Sequence, residues 1–283
     1  MNDIAGTARS GTADVAGARL YYELSGPAAP KQAAQATTVV LIHGMGVDHR
    51  MWAPQVAAFG RHHQLLRYDM RGFGRSSLPN GDYTPQDDLA ALLDHLGIKR
   101  AHVLGLSRGG AVAIAFALAY PARTRSLIAV DAVLRGFDGA ADFVDSLKVI
   151  WRTARESGVA AAKALWREHP LFDVARRQPD TWAAFDQMFG DYHGWHWANP
   201  DPEMAPEPPP AQRLGEIAAP ALVVVGEHDI PAMQRTARAL ADGIDGAELA
   251  LIPGAGHLPS MEAPQPFNTR VLEFLRRLDT ATA

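Results

Sequence analysis

The sequence predicts an α/β fold, a mostly parallel sheet with helices on both faces. Short β-branched runs alternate along the chain with longer amphipathic or alanine-rich segments, the pattern of strands joined by crossover helices. Several of the longer segments open on proline, which suits the first turn of a helix. Gly105-Leu-Ser-Arg-Gly109 stands between an apolar run and a small-residue stretch, placing a serine on a strand-to-helix turn.

Taken in order, Arg19–Glu23 reads as an edge hairpin strand, followed by strands at Thr38–Ile42, Gln64–Tyr68, His102–Leu104, Leu127–Val130, Leu222–Val225 and Ala247–Ile252. Helices are expected over Trp52–Phe59, Pro85–Leu96, Arg108–Tyr120, Pro231–Ala241 and Pro264–Leu278. The alternation fails between 135 and 214, where no strand candidate occurs and five of the six tryptophans gather. That segment closes on Asn199–Pro210, whose prolines exclude helix and suit a stiff return strap. The chain therefore divides into an α/β core (14–134 and 215–283), a helical lid or cap (135–214) inserted after the sixth strand, and a flexible N-terminus (1–13). The competing reading of 135–214 is a helical subdomain that only buttresses the sheet.

With 283 residues, 47% hydrophobic and 20% charged, the chain has the composition of a globular protein with a large core. A net charge of -4 without a basic stripe argues against nucleic acid or an anionic membrane as partner. The absence of cysteine removes disulfides, thiolate nucleophiles and thiolate metal sites. No signal-peptide pattern occurs at the N-terminus, so a cytoplasmic location is expected; a homodimer is left open.

A serine hydroxyl needs a base to accept its proton, and eleven histidines are available. His257, in Gly254-Ala-Gly-His-Leu-Pro259, follows the last strand on a loop able to carry a side chain over the sheet. Asp229, at the carboxyl end of Leu222–Val225, is the acid that would orient it. Capping of the helix at Pro231 is the structural alternative for Asp229, and Asp131 is the substitute acid. The backbone N–H groups of Arg108 and Met45 are the candidate oxyanion donors, with Gly44 and Gly46 letting the His43–Gly46 loop turn toward the pocket. His43 itself reads as a loop-holding residue. Gly44, Arg108, Trp151, Trp166, Trp182, Trp195 and Leu258 are candidates for contact with substrate.

Together His43-Gly44, Asp69-Met-Arg-Gly-Phe-Gly-Arg-Ser76, Gly105–Gly109, Gly226-Glu-His-Asp229 and Gly256-His257 resemble the serine-nucleophile α/β-hydrolases. The chain is most similar to the bacterial group of 3-oxoadipate enol-lactonases, carboxylesterases and carbon–carbon bond hydrolases. That resemblance implies the α/β-hydrolase fold and the chain order Ser107, Asp229, His257. Relatives often carry an uncharged residue where this chain has Arg108. Its guanidinium could bind a substrate carboxylate, or be spent internally on Asp131 or another carboxylate.

No metal or cofactor is expected. His193 and His196 are spaced for one helix face, yet Gly194 and the aromatics around them suit an irregular segment better. The expected function is a cofactor-independent serine hydrolase acting on a small-molecule ester or lactone with an apolar or aromatic part. Carbon–carbon bond hydrolysis, perhydrolysis and acyl transfer use related machinery. A non-catalytic small-ligand receptor on the same scaffold is the reading from another class.

Overall fold

Strands that read as unbroken apolar runs are those buried on both faces. The computed structural model describes residues 9–15, 17–29 and 35–281. It contains strands β1 (Arg9–Val15), β2 (Ala18–Ser25), β3 (Thr38–Ile42), β4 (Gln64–Tyr68), β5 (Ala101–Leu106), β6 (Thr124–Val130), β7 (Ala221–Gly226) and β8 (Glu248–Ile252). They form one sheet in the order β1-β2-β4-β3-β5-β6-β7-β8. Pairs from β4 across to β8 are parallel, and β1 and β2 are antiparallel additions at one side. Val39, Val40, Leu41 and Ile42 in β3 are fully buried, each such side chain contributing about 1.5–3 kcal/mol. By contrast β8 alternates, exposing Leu249 and Leu251, because it is an edge strand.

The hairpin expectation needs two corrections. Residues 9–13, expected in a flexible N-terminus, lie in β1, and β2 is therefore not the edge. Arg9–Val15 is small and polar, burying only Ala13 and Val15, so its pairing with β2 left little side-chain signal. Residues 1–8 of that expected terminus lie outside the described residues.

Five helices cover the sheet: α1 (Ala53–Phe59), α2 (Pro85–His95), α3 (Arg108–Ala119), α7 (Pro231–Gly243) and α8 (Pro264–Ala281). Thr84 caps α2 by accepting the Asp87 N–H at 3.3 Å ahead of Pro85, a device contributing about 1 kcal/mol. In α3 every residue from Gly109 to Leu118 is buried. Its small residues permit that, since a side chain at Gly110 would collide with Ala132.

Between β6 and β7 the described chain has no strand; its longer helices are α4 (Ala141–Ser157), α5 (Val159–Arg167) and α6 (Pro179–Asp191), with single-turn helices at Asp173–Arg176 and Trp195–Ala198. Their aromatic side chains pack on one another: Phe185 and Phe189 stack at 5.4 Å, and Trp166 meets Trp197 edge-on at 5.9 Å. The proline-rich segment forms no helix before Pro210 and docks beside Tyr83, whose carbonyl accepts the Met204 N–H at 2.9 Å. Among the described residues no helix is long and apolar enough to cross a membrane.

Candidate active site

Parallel strands place their carboxyl ends along one edge of the sheet, and the chemically interesting residues follow those ends. His43–Met45 follow β3, Ser107 follows β5, Asp131 follows β6, Asp229 follows β7 and His257 follows β8.

Ser107 sits at φ 56°, ψ -114°, a conformation that costs a non-glycine residue about 1–3 kcal/mol. The turn is closed from both sides. A side chain at Gly105 would enter the Gly109 carbonyl, and one at Gly109 would enter the carbonyls of Ile42 and His43. Ser107 also donates its N–H to Val130 O at 2.9 Å and accepts the Val133 N–H at 3.1 Å. Its hydroxyl is not used to cap α3.

The Arg108 N–H opens α3 and has no partner within the helix, so it stands at the positive end of the helix dipole. Gly44 brings the β3 loop close: a Cβ there would stand 3.0 Å from the Leu106 side chain and 3.7 Å from the Ser107 Cβ. Buried His43 holds this loop through both ring nitrogens. Nδ1 donates to the Gly44 carbonyl at 2.8 Å and Nε2 accepts the Met70 N–H at 3.0 Å, while burial keeps its pKa below the usual histidine value. That arrangement matches the loop-holding reading of the sequence.

His257 Nδ1 donates to Asp229 Oδ2 at 2.7 Å, both groups being buried. The bond fixes the tautomer and leaves Nε2 as the acceptor nitrogen. Asp229 Oδ1 accepts the Ile230 N–H at 2.7 Å, and α7 has Ile230 as its N-cap residue with no side-chain cap, so Asp229 does not cap the helix. The two loops are packed backbone to backbone, because a side chain at Gly226 would overlap the Gly256 carbonyl. Glu262 accepts the Gly256 N–H at 2.5 Å, and burial pushes its carboxyl up to about 7.

Asp131 joins the same polar cluster, its carboxylate lying with Asp229 and His257 so that their ligating atoms are all within 4.8 Å. It accepts the Gly226 N–H at 3.0 Å. Burial first, and then the Asp229 charge, raise its pKa well above the carboxylate range. Asp131 is thus a neighbour of the His257–Asp229 pair, held toward its neutral form.

Met45, Ser107 and Arg108 line one cavity of about 560 Å³ with a predominantly apolar wall that includes Phe143, Leu147, Trp151, Trp166 and Trp197. Of the candidate tryptophans, Trp151 and Trp166 line this cavity. Trp182 and Trp195 are not among its lining residues: Trp182 stacks on Phe185 at 5.1 Å and Trp195 meets His196 edge-on at 5.3 Å. Gly44 and buried Leu258 also stand outside its lining, as do His257 and Asp229. Phe143, Leu147 and Trp197 were missed, although Phe143, Leu147 and Trp151 recur at four-residue spacing on α4, a legible helical stripe.

The Arg108 side chain is internally paired, with Glu203 of the proline-rich segment and not with Asp131. Asp201 lies 3.6 Å away as a second carboxylate. Burial works against the charge, but Glu203 and its neighbours outweigh it and raise the Arg108 pKa. Arg135, also on the cavity wall, binds the other Glu203 oxygen.

Among the described residues, neither His193 nor His196 belongs to a group of three or more converging His, Asp or Glu side chains. Their ring nitrogens bond to the Trp195 N–H at 3.1 Å and the Tyr192 hydroxyl at 3.3 Å. Among the described residues, Asp48, His49 and Asp69 also converge, with His49 Nδ1 2.7 Å from Asp69.

A sequence profile of the alpha/beta hydrolase family matches residues 39–270. The chain is 31% identical to a protein of Caulobacter sp. (strain K31) named "Putative carbamate hydrolase RutD", over 94% of this chain and 98% of that one. It is also 31% identical to the 2-hydroxy-6-oxononadienedioate/2-hydroxy-6-oxononatrienedioate hydrolase of Paraburkholderia xenovorans, over 85% and 87% of the two chains. Among solved structures, the enol-lactonase from Burkholderia xenovorans LB400 is similar at a TM-score of 0.78 and 30% identity, covering 94% of this chain and 100% of that one.

Proposed function

Because this chain belongs to the alpha/beta hydrolase family, we propose that it is a cofactor-independent serine hydrolase cleaving a carboxylic ester or lactone with an apolar or aromatic part. The observation that carries the reading is Ser107 itself, strained on its glycine-bounded turn at the wall of a largely apolar cavity. His257 Nε2 takes the Ser107 Oγ proton as Oγ attacks the acyl carbon, and Asp229 stabilises the imidazolium. The Met45 and Arg108 N–H groups receive the oxyanion. Collapse breaks the bond to the alkoxy oxygen, which leaves as an alcohol with the proton from His257. Water then gives a proton to His257 and its hydroxyl to the acyl carbon, releasing the acid and restoring Ser107.

Residues 135–214 serve as the lid of this site, a role supported by α4 and by Trp166 and Trp197, which wall the cavity. Carbon–carbon bond hydrolysis is the second reading, favoured by the Paraburkholderia relative. Its substrate is a dioate by name, whereas the guanidinium beside Ser107 is already occupied by Glu203, which favours the ester or lactone.

A fluorophosphonate probe tests the serine chemistry: native protein should label and Ser107→Ala should not. A turnover screen over short and long nitrophenyl esters, simple lactones, a carbamate and vinylogous diketones tests the bond cleaved. Turnover confined to the diketones, or equal labelling of Ser107→Ala, would overturn the ester reading.

A further inference from the structure

Arg108 and Arg135 both line the cavity that holds Ser107, and their guanidinium groups share one carboxylate. Such a pair is by its chemistry a carboxylate receptor, because each group offers planar, charge-assisted donors. Here a carboxylate of the chain itself fills it. Glu203 gives one oxygen to Arg108 and the other to Arg135, and its side chain is only 8% exposed.

The segment around Glu203 is built to hold it there. Tyr83 and Glu203 form a parallel bridge, Tyr83 donates its hydroxyl to Asp201 at 3.1 Å, and the Glu203 N–H donates to Asp201 at 3.2 Å. Ala205, Pro206 and Pro209, just beyond, line the cavity. The two arginines thus face two carboxylates, Glu203 and Asp201, and the group has no net charge left for a ligand. The bond to Glu203 is made by a terminal guanidinium nitrogen of Arg108, while its Nε is buried without an acceptor among the described residues. Glu203, itself behind the lining residues, is the acceptor that both cavity arginines hold.

We propose that Glu203 determines the substrate charge preference of this site, occupying the Arg108–Arg135 carboxylate receptor so that the pocket selects neutral acyl substrates over anionic ones. This rests on the serine-hydrolase reading and adds a substrate class to it. An anionic substrate must either displace a buried ion pair or place its own charge beside a neutralised one, and both are unfavourable.

The test compares a neutral nitrophenyl ester, the butyrate, with an anionic one of similar length, mono-nitrophenyl succinate. Wild type should favour the butyrate in kcat/KM by about tenfold or more. Glu203→Gln keeps the shape and removes the charge, and should shift that ratio toward the succinate by about tenfold, through KM for the anionic ester. Arg135→Gln removes one of the two cations and leaves two carboxylates facing Arg108 alone, so the ratio should move further toward the butyrate. The proposal is overturned if wild type prefers the succinate, if Glu203→Gln moves both esters equally, or if Arg135→Gln moves the ratio toward the succinate. Should Glu203→Gln not fold, the wild-type ratio and Arg135→Gln decide. Failure of the serine reading looks different, because Ser107→Ala would then turn over both esters like wild type.

Discussion

Ser107 and Asp131 are the two non-glycine residues that the described chain holds at positive φ, 56° and 41°, and they occupy adjacent strand ends. The hydrogen bonds of Ser107 to Val130 and Val133 straddle Asp131 in sequence. The sheet edge thus carries strain at the elbow and at the strand end beside it. The strain is stored where side chains must be aimed rather than packed.

If Ser107 is strained, glycine should suit its backbone better than alanine. Both Ser107→Ala and Ser107→Gly should lose turnover. Glycine normally costs about 0.5–1 kcal/mol relative to alanine, yet here it should be the more stable by about 1 kcal/mol. Urea unfolding of the two variants measures the difference; an advantage for alanine would show that the turn is relaxed.

The two acids near His257 should answer mutation unequally. Asp229 makes the 2.7 Å bond to Nδ1, so Asp229→Asn should lower kcat by about 10³–10⁴ by disturbing the tautomer. Asp131 is held toward neutrality by burial and by the Asp229 charge. Asp131→Asn keeps an acceptor for the Gly226 N–H and should cost less than about tenfold. Steady-state kinetics of the pair decides; the reverse order would assign the acid role to Asp131.

Glu262 should make the protein less stable as pH rises. Burial puts its folded carboxyl at about 7, while an unfolded glutamate releases its proton near pH ~4.3. Between those values the native state holds the extra proton, so stability falls with rising pH through this window and the loss is complete above it. Glu262→Gln should therefore match wild type near pH ~4 and exceed it by up to about 4 kcal/mol at pH ~8. Denaturation midpoints across this range measure the gap, and a constant gap would show that Glu262 does not titrate there.

Much of this site was legible because the fold ties position to chemistry. The parallel strands were marked by β-branched runs, and their carboxyl ends pick out Ser107, Asp229 and His257 without any knowledge of side-chain contacts. What stayed hidden was long-range. Strand β1 is held by backbone pairing that its polar sequence does not announce. The partner of Arg108 is Glu203, 95 residues away on a segment whose prolines reveal its extension but not where it docks. Five clustered tryptophans marked a helical insertion, yet composition could not separate those facing the cavity from those facing one another.

That separation has a kinetic consequence. Trp151 lines the cavity on the α4 stripe with Phe143 and Leu147, whereas Trp182 spends its ring on Phe185 and Phe172. Removing the Trp151 indole should cost contacts to a long acyl or aromatic group while leaving a short one largely untouched. A buried aromatic contact of this size contributes about 1.5–3 kcal/mol, so Trp151→Ala should lower kcat/KM for a long-chain ester about tenfold or more relative to the acetate. Trp182→Ala should lower stability instead, with the chain-length ratio unchanged. Esters of increasing acyl length on both variants provide the comparison. If Trp182→Ala shifts the ratio as far as Trp151→Ala does, the two rings act through the rigidity of the whole helical layer, and contact with substrate is not what sets chain-length preference.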